Sequence, residues 1–357
     1  MKGLSGSLQV AVVYSSKKKA RKVFDVACPG EIRADNGRPH DLLVEYDSDK
    51  TIAAVAKALA RRFKVVLVEA DAGAYSRLKK NRPDLVFNIS EGFCGPNREA
   101  HIPIICEMLG LAYTGSDGLT LGICLDKSRA KETLGFHKIP TPDFIVCEDH
   151  KLQDCGNGLA LPAVVKPLRE GSSKGIGNDS IIFKRDQLKA RVAEIIKKYH
   201  QPALVEEFLP GREFTVGVLG NAPDFEILPL IEINHNALPA NANPIYGYEA
   251  KWVWDNPAKP LDILICPARV SPQLRARIYD LVVRALTVLR VRDWCRVDLR
   301  LSAAGRPKII ELNPLPGIAP DQRDNSALPA AARAAGYSYD DLILRVAQSA
   351  IKRQGLR

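Results

Sequence analysis

The strongest constraint on the fold lies in the first third of the chain, where short apolar runs alternate with helical patterns. Gln9–Tyr14 (QVAVVY) is a Val-rich run, Lys64–Glu69 (KVVLVE) a second and Leu85–Ile89 a third. Between and after them, Thr51–Arg61 (TIAAVAKALAR) has helical periodicity and a helix ends at Leu78-Lys79-Lys80. Pro103–Leu109 is the apolar part of a helix that starts near Arg98. Strands alternating with helices predict a parallel sheet with helices on both faces. Such sheets bind ligands beyond the carboxyl ends of their strands, where Ser90-Glu91-Gly92 falls. Residues 28–50, polar and rich in Gly and Pro, read as an excursion from the sheet.

From Thr141-Pro142 the pattern changes. Ala163–Pro167 is a strand closed by proline, Ile181–Phe183 resumes a strand, Gln187–Lys198 is an amphipathic helix and Ala203–Phe208 is a strand. Glu213–Leu219 follows a Leu-Pro-Gly turn, and residues 234–262 read as a long loop. Pro272–Leu289 is a helix, Arg296–Leu301 and Lys308–Leu312 are paired strands, and the last helix spans about Tyr339–Arg353.

Composition excludes several classes. The 357 residues suffice for two or three domains, and 46% apolar content excludes disorder over the whole chain. No window approaches the ~20 apolar residues of a membrane span. The run Leu8–Tyr14 leads into Lys17-Lys18-Lys19 rather than a small-residue cleavage site, against a signal peptide. Eight cysteines, at 28, 94, 106, 124, 147, 155, 266 and 295, form no C-x-x-C pair, which predicts reduced thiols and a cytoplasmic chain. The net charge of +10 reads as a basic surface or as attraction for anions. With 6% aromatics and no basic stripe interleaved with them, no nucleic-acid partner is expected.

Three local constellations carry chemistry. Ala304-Gly305 has the form of a two-residue hairpin loop, in which cross-strand partners sum to 609. Asp298 then lies opposite Glu311 and Arg296 opposite Asn313, all on one face, with Val297, Leu299, Ile310 and Leu312 on the other. Like charges placed opposite each other are unfavourable. Either the face is solvated, or a divalent cation resolves the conflict; two carboxylates and an amide oxygen suit Mg²⁺. The second constellation, Glu170–Gly177 (EGSSKGIG), is neither a Walker loop nor a dinucleotide fingerprint. It fits an anion-cradling loop or a plain hairpin loop, and Lys166 just before it adds positive charge. The third, Val205–Thr215 (VEEFLPGREFT), puts acidic residues around a turn, where they are solvated or accept from an adenine amino group and a ribose.

Taken in order, a set of longer stretches is far more specific: FNISEG at 87–92, LGLAYTGSDGLTLGICLDKSRAK at 109–131, PAVVKPLREGSSKGIG at 162–177, VEEFLPGREFTV at 205–216, YGYEAKW at 246–252 and RVDLRLSAAGRPKIIELNPLPG at 296–317. Across about residues 9–345 the chain resembles the ATP-grasp superfamily, and within it the D-alanine–D-alanine ligase family. The resemblance implies a mixed α/β and α+β architecture, the ATP-grasp fold with an N-terminal Rossmann-like (pre-ATP-grasp) parallel-sheet domain. It implies residues 1–120 as that substrate domain, 121–205 as the central lid and 206–357 as the C-terminal ATP-grasp domain with the Mg²⁺ site. ATP and Mg²⁺ (or Mn²⁺) are the implied cofactors. Small-molecule carboxylates and amines are the implied partners, no membrane is involved, and a homodimer is left open.

Residue by residue, Lys127 and Lys166 look like the lysines that contact ATP phosphates. Gly171 to Gly177, with Ser172 and Ser173, look like the flexible loop over them, and Ser172 counts also among the catalytic residues. Glu206, Glu207 and the backbone of Leu209 match the adenine-binding hinge, and Glu213 matches the acid that binds ribose. Lys251 looks like the lysine near the γ-phosphate. Asp298, Glu311 and Asn313 match the Mg²⁺ ligands, Arg296 the arginine that stabilises a tetrahedral oxyanion, and Gly317 the glycine beside it. The implied reaction is ligation: a carboxylate takes the γ-phosphoryl group to give an acylphosphate and ADP, and an amine then attacks.

The departures from the family pattern concern the substrate. The N-terminal glutamate expected near Val13–Lys18 is absent, the family's His-Gly reads Glu91-Gly92, the tyrosine after the substrate-loop lysine is Trp252, and a serine-leucine pair falls near Gln322-Arg323. Glu91 then either takes a substrate ammonium or pairs with Arg98, and Trp252 walls a bulkier group than a methyl. Ligation of L-amino acids or of a specialised metabolite stands beside D-alanine ligation. The readings from other classes are a non-catalytic nucleotide-binding protein and a basic nucleic-acid-binding protein.

Overall fold

A computed structural model describes residues 8–26, 41–149, 155, 158–255 and 260–356. The N-terminal unit runs β1 (Gln9–Tyr14), α1 (Lys17–Val26), α2 (Asp49–Ala60), β2 (Lys64–Glu69), α3 (Ala74–Asn81), β3 (Leu85–Asn88) and α4 (His101–Leu109). Its three strands are parallel in the order β2-β1-β3, with Val12 level with both Leu67 and Phe87. Helix α2 starts at Ser48, whose hydroxyl accepts the Thr51 N–H at 3.1 Å and so satisfies one of the free amides of the first turn. Helix α1 occupies what the sequence offers only as a basic cluster.

Two helices not evident in the sequence, α5 (Gly118–Leu125) and α6 (Lys127–Phe136), follow, capped by Asp117 and Asp126. An antiparallel sheet then forms from β4 (Phe144–Cys147), β5 (Ala163–Pro167), β6 (Ile181–Ile182) and, after α7 (Arg185–Tyr199), β7 (Ala203–Glu207), in the order β4-β7-β5-β6. Val165 and Val205 meet Leu188, Val192 and Ile195 of α7 in a core of their own. The expectation of reduced thiols fails here: Cys147 and Cys155 form a disulfide, and Cys94 is disulfide-bonded too.

The remaining elements are β8 (Glu213–Gly220), β9 (Glu226–Ile227), β10 (Ile231–Ile233), β11 (Leu264–Ile265), α8 (Pro272–Val288), β12 (Asp293–Leu301), β13 (Pro307–Asn313), α9 (Ala327–Ala334) and α10 (Tyr339–Gln354). The sheet order is β11-β10-β8-β12-β13, with β9 beside β8. Val282, Ala285 and Leu286 of α8 pack with Val216, Val297 and Leu299. Leu342, Ile343 and Val346 of α10 share a second core with Val12 and Phe87 of the N-terminal sheet and Trp294 of this one. Within the expected long loop, Glu249–Trp254 forms a π-helical turn, while residues 256–259 lie outside the described residues. No helix among the described residues is long and apolar enough to cross a membrane.

The β12–β13 hairpin keeps the expected polar pairs by a different route. The turn is not the two-residue Ala304-Gly305 loop: Gly305 donates to Ser302 and Ser302 to Arg306, so residues 302–306 make the connection. Partners near it are Leu301↔Pro307 and Leu299↔Ile309, one short of the expected sum. A β-bulge then inserts Ile310 and restores Asp298↔Glu311 and Arg296↔Asn313. In consequence Ile309 is the fully buried core residue, and Ile310, expected in the core, lines the cavity.

Candidate active site

A cavity of about 470 Å³ lies where the three sheets meet. Its walls include Lys166, Ser172, Ser173, Glu206, Glu207, Leu209, Glu213, Lys251, Trp252, Arg296, Asp298, Glu311, Asn313, Gly317 and Glu91. Two expected residues are not on the wall. Lys127 is buried behind it, its ammonium donating to the Glu170 carbonyl and standing 3.7 Å from Glu311. Gly171 gives its N–H to Glu45, which does line the wall, at 2.7 Å.

On the hairpin face, alternation along β12 points Arg296 and Asp298 the same way, and β13 adds Glu311 and Asn313. The charge conflict between the carboxylates is relieved by cations of the chain itself. Arg296 lies 2.9 Å from Asp298 and 3.6 Å from Glu311, and Asp298 also accepts the Thr215 hydroxyl. Burial pushes the Glu311 carboxyl up, but Lys127, Lys166, Arg296 and Lys251 outweigh it and hold the carboxyl down at about 2. Burial, followed by the neighbouring Arg296, lowers the Lys251 ammonium, which sits 4.8 Å over the Tyr246 ring. Among the described residues no three His, Cys, Asp or Glu side chains group as a metal centre. The donor set that faces the cavity is two carboxyl groups and one amide, which supply oxygen donors of the kind a hard divalent cation accepts.

The glycine-rich loop has two edges. Ser172 and Ser173, both at positive φ, face the cavity with Ile176, while Gly171, Lys174 and Gly175 do not. Positive φ is uncommon for serine and costs conformational energy, so surrounding contacts must hold the loop. Among those contacts are Ser173 Oγ to the Tyr246 carbonyl at 2.9 Å and Trp252 Nε1 to the Ser172 carbonyl at 3.1 Å.

At the opposite end, Glu206 is not a free acceptor. Lys166 and Lys131 hold it at 2.5 and 2.9 Å, and these lysines keep its carboxyl below the usual range against the effect of burial. Glu207 pairs with Lys308 at 2.6 Å, and Glu213 with His235 at 3.0 Å and Arg300 at 3.3 Å. Val164, Leu209, Ile245 and Ile310 supply an apolar slot beside them. Lys131, Lys308 and Arg300 escape a reading of the sequence because their partners are remote in the chain; only the polar positions of α6 and of the hairpin face hint at them.

All four sequence departures bear on the wall of this cavity, where Lys17, Glu91, Trp252 and Arg323 are found. Arg98 does not pair with Glu91: its guanidinium is on Glu45 at 3.3 Å and Glu170 at 3.2 Å. Burial first, then the nearby Glu99 and Glu45, raise the Glu91 carboxyl well above its ordinary value. Of the expected excursion, residues 28–40 include only positions outside the described residues, while Asp41–Asp47 returns to this wall through Val44, Glu45, Tyr46 and Asp47.

Residues 133–348 match the family model described as D-ala D-ala ligase C-terminus. The chain is 33% identical over 318 residues to the D-alanine–D-alanine ligase of Pelotomaculum thermopropionicum, covering 86% of this chain and 93% of that one. This chain belongs to the D-alanine–D-alanine ligase family. A Sinorhizobium fredii relative, named "Uncharacterized protein y4sG", is 33% identical over 314 residues, covering 86% of this chain and 88% of the relative. The crystal structure of the Bacillus anthracis D-alanine–D-alanine ligase complexed with ATP superposes with a TM-score of 0.70 over 98% of this chain and 99% of that one, at 21% identity. The fold is thus that of the ATP-grasp ligases, and the protein is a D-alanine–D-alanine-ligase-like ligase.

Proposed function

We propose that the protein joins a carboxylate and an amine in an amide bond at the expense of ATP, through an acylphosphate, releasing ADP and phosphate. The observation that carries this reading is the convergence of Arg296, Asp298, Glu311, Asn313, Lys166 and Lys251 on one cavity that also contains the serine edge of the glycine-rich loop. Adenine takes the apolar slot beside Leu209 and Ile310, with Glu213 toward the ribose. Lys166, Lys251, Ser172 and Ser173 orient the phosphates, which is most of what phosphoryl transfer requires. Asp298, Glu311 and Asn313 would hold Mg²⁺, which when bound neutralises charge on the phosphate oxygens. Arg296 donates to the oxygen that becomes anionic as the amine adds, with Gly317 leaving room beside it. The substrates lie between Glu91, Lys17, Trp252 and Arg323. D-alanine is the leading substrate of this reading, as the family suggests, and the departures at Lys17, Glu91, Trp252 and Arg323 keep ligation of L-amino acids or of a specialised-metabolite carboxylate and amine beside it.

The test is ADP release over pairs of amino acids, with variants. Asp298→Asn or Glu311→Gln should lower ADP formation about a hundredfold or more in a folded protein. Arg296→Ala should keep nucleotide affinity and lose amide product, with partial recovery in Arg296→Lys, which restores charge without the planar fork. Wild-type turnover in Asp298→Asn, or equal loss of ATP affinity and turnover in Arg296→Ala, would refute these roles.

A further inference from the structure

The outer edge of the glycine-rich loop is occupied by two buried carboxylates from the segment that follows the N-terminal excursion. Glu45 accepts the Gly171 N–H at 2.7 Å and meets Lys174 at 3.0 Å and Arg98 at 3.3 Å. Asp41 accepts the Gly175 N–H at 2.8 Å and the Tyr199 hydroxyl at 2.6 Å. Arg98 also binds the Arg169 carbonyl at 2.9 Å and Glu170 at 3.2 Å, so the loop is fastened at its entry as well. A Cβ at position 171 would come within 2.7 Å of the Glu45 carboxylate, so only glycine admits this approach. Lys174 and Arg98 overcome the effect of burial and keep Glu45 ionised at neutral pH.

Backbone N–H groups of a glycine-rich loop commonly serve a bound anion. Here the N–H groups of Gly171 and Gly175 serve carboxylates of the chain, and the loop offers the cavity its other edge, Ser172 and Ser173. We infer that Asp41 and Glu45 are positioning residues that strap the outer edge of the loop and so hold its serine edge over the phosphate end of the cavity. This rests on the reading above that the loop takes ATP phosphates. The strap is legible only in three dimensions, since Glu45 and Gly171 are 126 residues apart.

The strap touches the phosphate loop and not the adenine slot, so its loss should weaken nucleotides in proportion to their phosphates. Titrating wild type and Glu45→Ala with Mg²⁺–ATP and with adenosine reads this directly. The variant's Kd for ATP should rise roughly tenfold or more, because a group misplaced by about an ångström can cost up to about a hundredfold. Its Kd for adenosine should stay within about twofold, and the Gly171 and Gly175 amides should lose protection from hydrogen exchange. Asp41→Asn lies outside the Arg98–Lys174 cluster and serves where Glu45→Ala does not fold. It keeps a side-chain oxygen for Gly175 but loses the charge, and it should show the same ATP-selective loss, about threefold or more. Folded variants that bind ATP as wild type does, or that lose ATP and adenosine equally, would overturn the strap alone. A wild type that does not bind ATP would overturn the ligase reading and the strap with it.

Discussion

Asp47 ends the strap segment at the substrate end of the cavity, and its Oδ2 is shut away without a hydrogen-bond partner. Its backbone joins Ser15 and Lys17 at 3.0 and 3.2 Å, which fixes the side chain in place. Burial, helped by nearby Glu69, pushes its carboxyl up to about 8. The unfolded chain releases that proton near pH 4, so between about pH 4 and 8 the folded chain holds a proton that the unfolded chain lacks. Stability therefore falls as pH rises through this window, by up to about 1.4 kcal/mol per pH unit. Asp47→Asn keeps the shape without the charge. Its melting temperature should match wild type near pH 4 and exceed it at pH 8; identical melting profiles from pH 4 to 9 would show that Asp47 is solvated. Which residues matter was readable where a local pattern carries them. Asp298 and Glu311 stand out because strand alternation puts like charges on one face, and Glu91 because it follows a parallel strand. Asp41 and Glu45 do not stand out, since their partners are loop amides more than a hundred residues away.

At the scale of elements, the long periodic segments were legible and the compensated ones were not. Lys64–Glu69 and Ala163–Pro167 form strands over the residues that their apolar runs mark. Helices α5 and α6 are rich in Gly, Ser and Thr, which favour neither state strongly; the signals for them were the caps, Asp117 on Thr120 and Asp126 on Ser128 and Arg129. The hairpin shows how register can be right for the wrong turn. A five-residue connection shifts pairing by one, and the bulge at Ile310 shifts it back, so the carboxylates meet although neither device is evident from alternation alone. The bulge has a second effect, which is to aim Ile310 at the slot proposed for adenine. Ile310→Ala removes three carbons from a half-buried side chain on that wall, at up to about 0.8 kcal/mol each. The KM for ATP should rise roughly tenfold, with the amino-acid KM values unchanged. A rise in the amino-acid values instead would move adenine out of this slot.

At the scale of the molecule, α10 packs into the core that the first and last sheets share, where Phe87 and Trp294 also meet directly. Leu342, Ile343 and Val346 lie in the same core as Val12, Val55 and Phe87 of the N-terminal unit and Ile231 and Trp294 of the C-terminal sheet. Polar contacts repeat the pattern: Asp340 pairs with Arg61 at 2.9 Å, and Arg353 binds Asp293 at 2.7 Å and the Tyr113 carbonyl at 2.9 Å. The central sheet is different, because Val165, Val205 and Val192 close a core without α10. Periodicity could predict each helix, but no local pattern tells a helix which two units it will join. Val346→Asp places a charge at a fully buried position, where an unpaired charge costs several kcal/mol against a total stability of about 5–15 kcal/mol. Amide protection should therefore fall together in β1, β3, β8 and β12, while β5, β7 and α7 keep theirs. Loss confined to β8 and β12, with β1 and β3 still protected, would mean that the N-terminal sheet stands on a core of its own. The cavity would then be bounded by three bodies rather than by two.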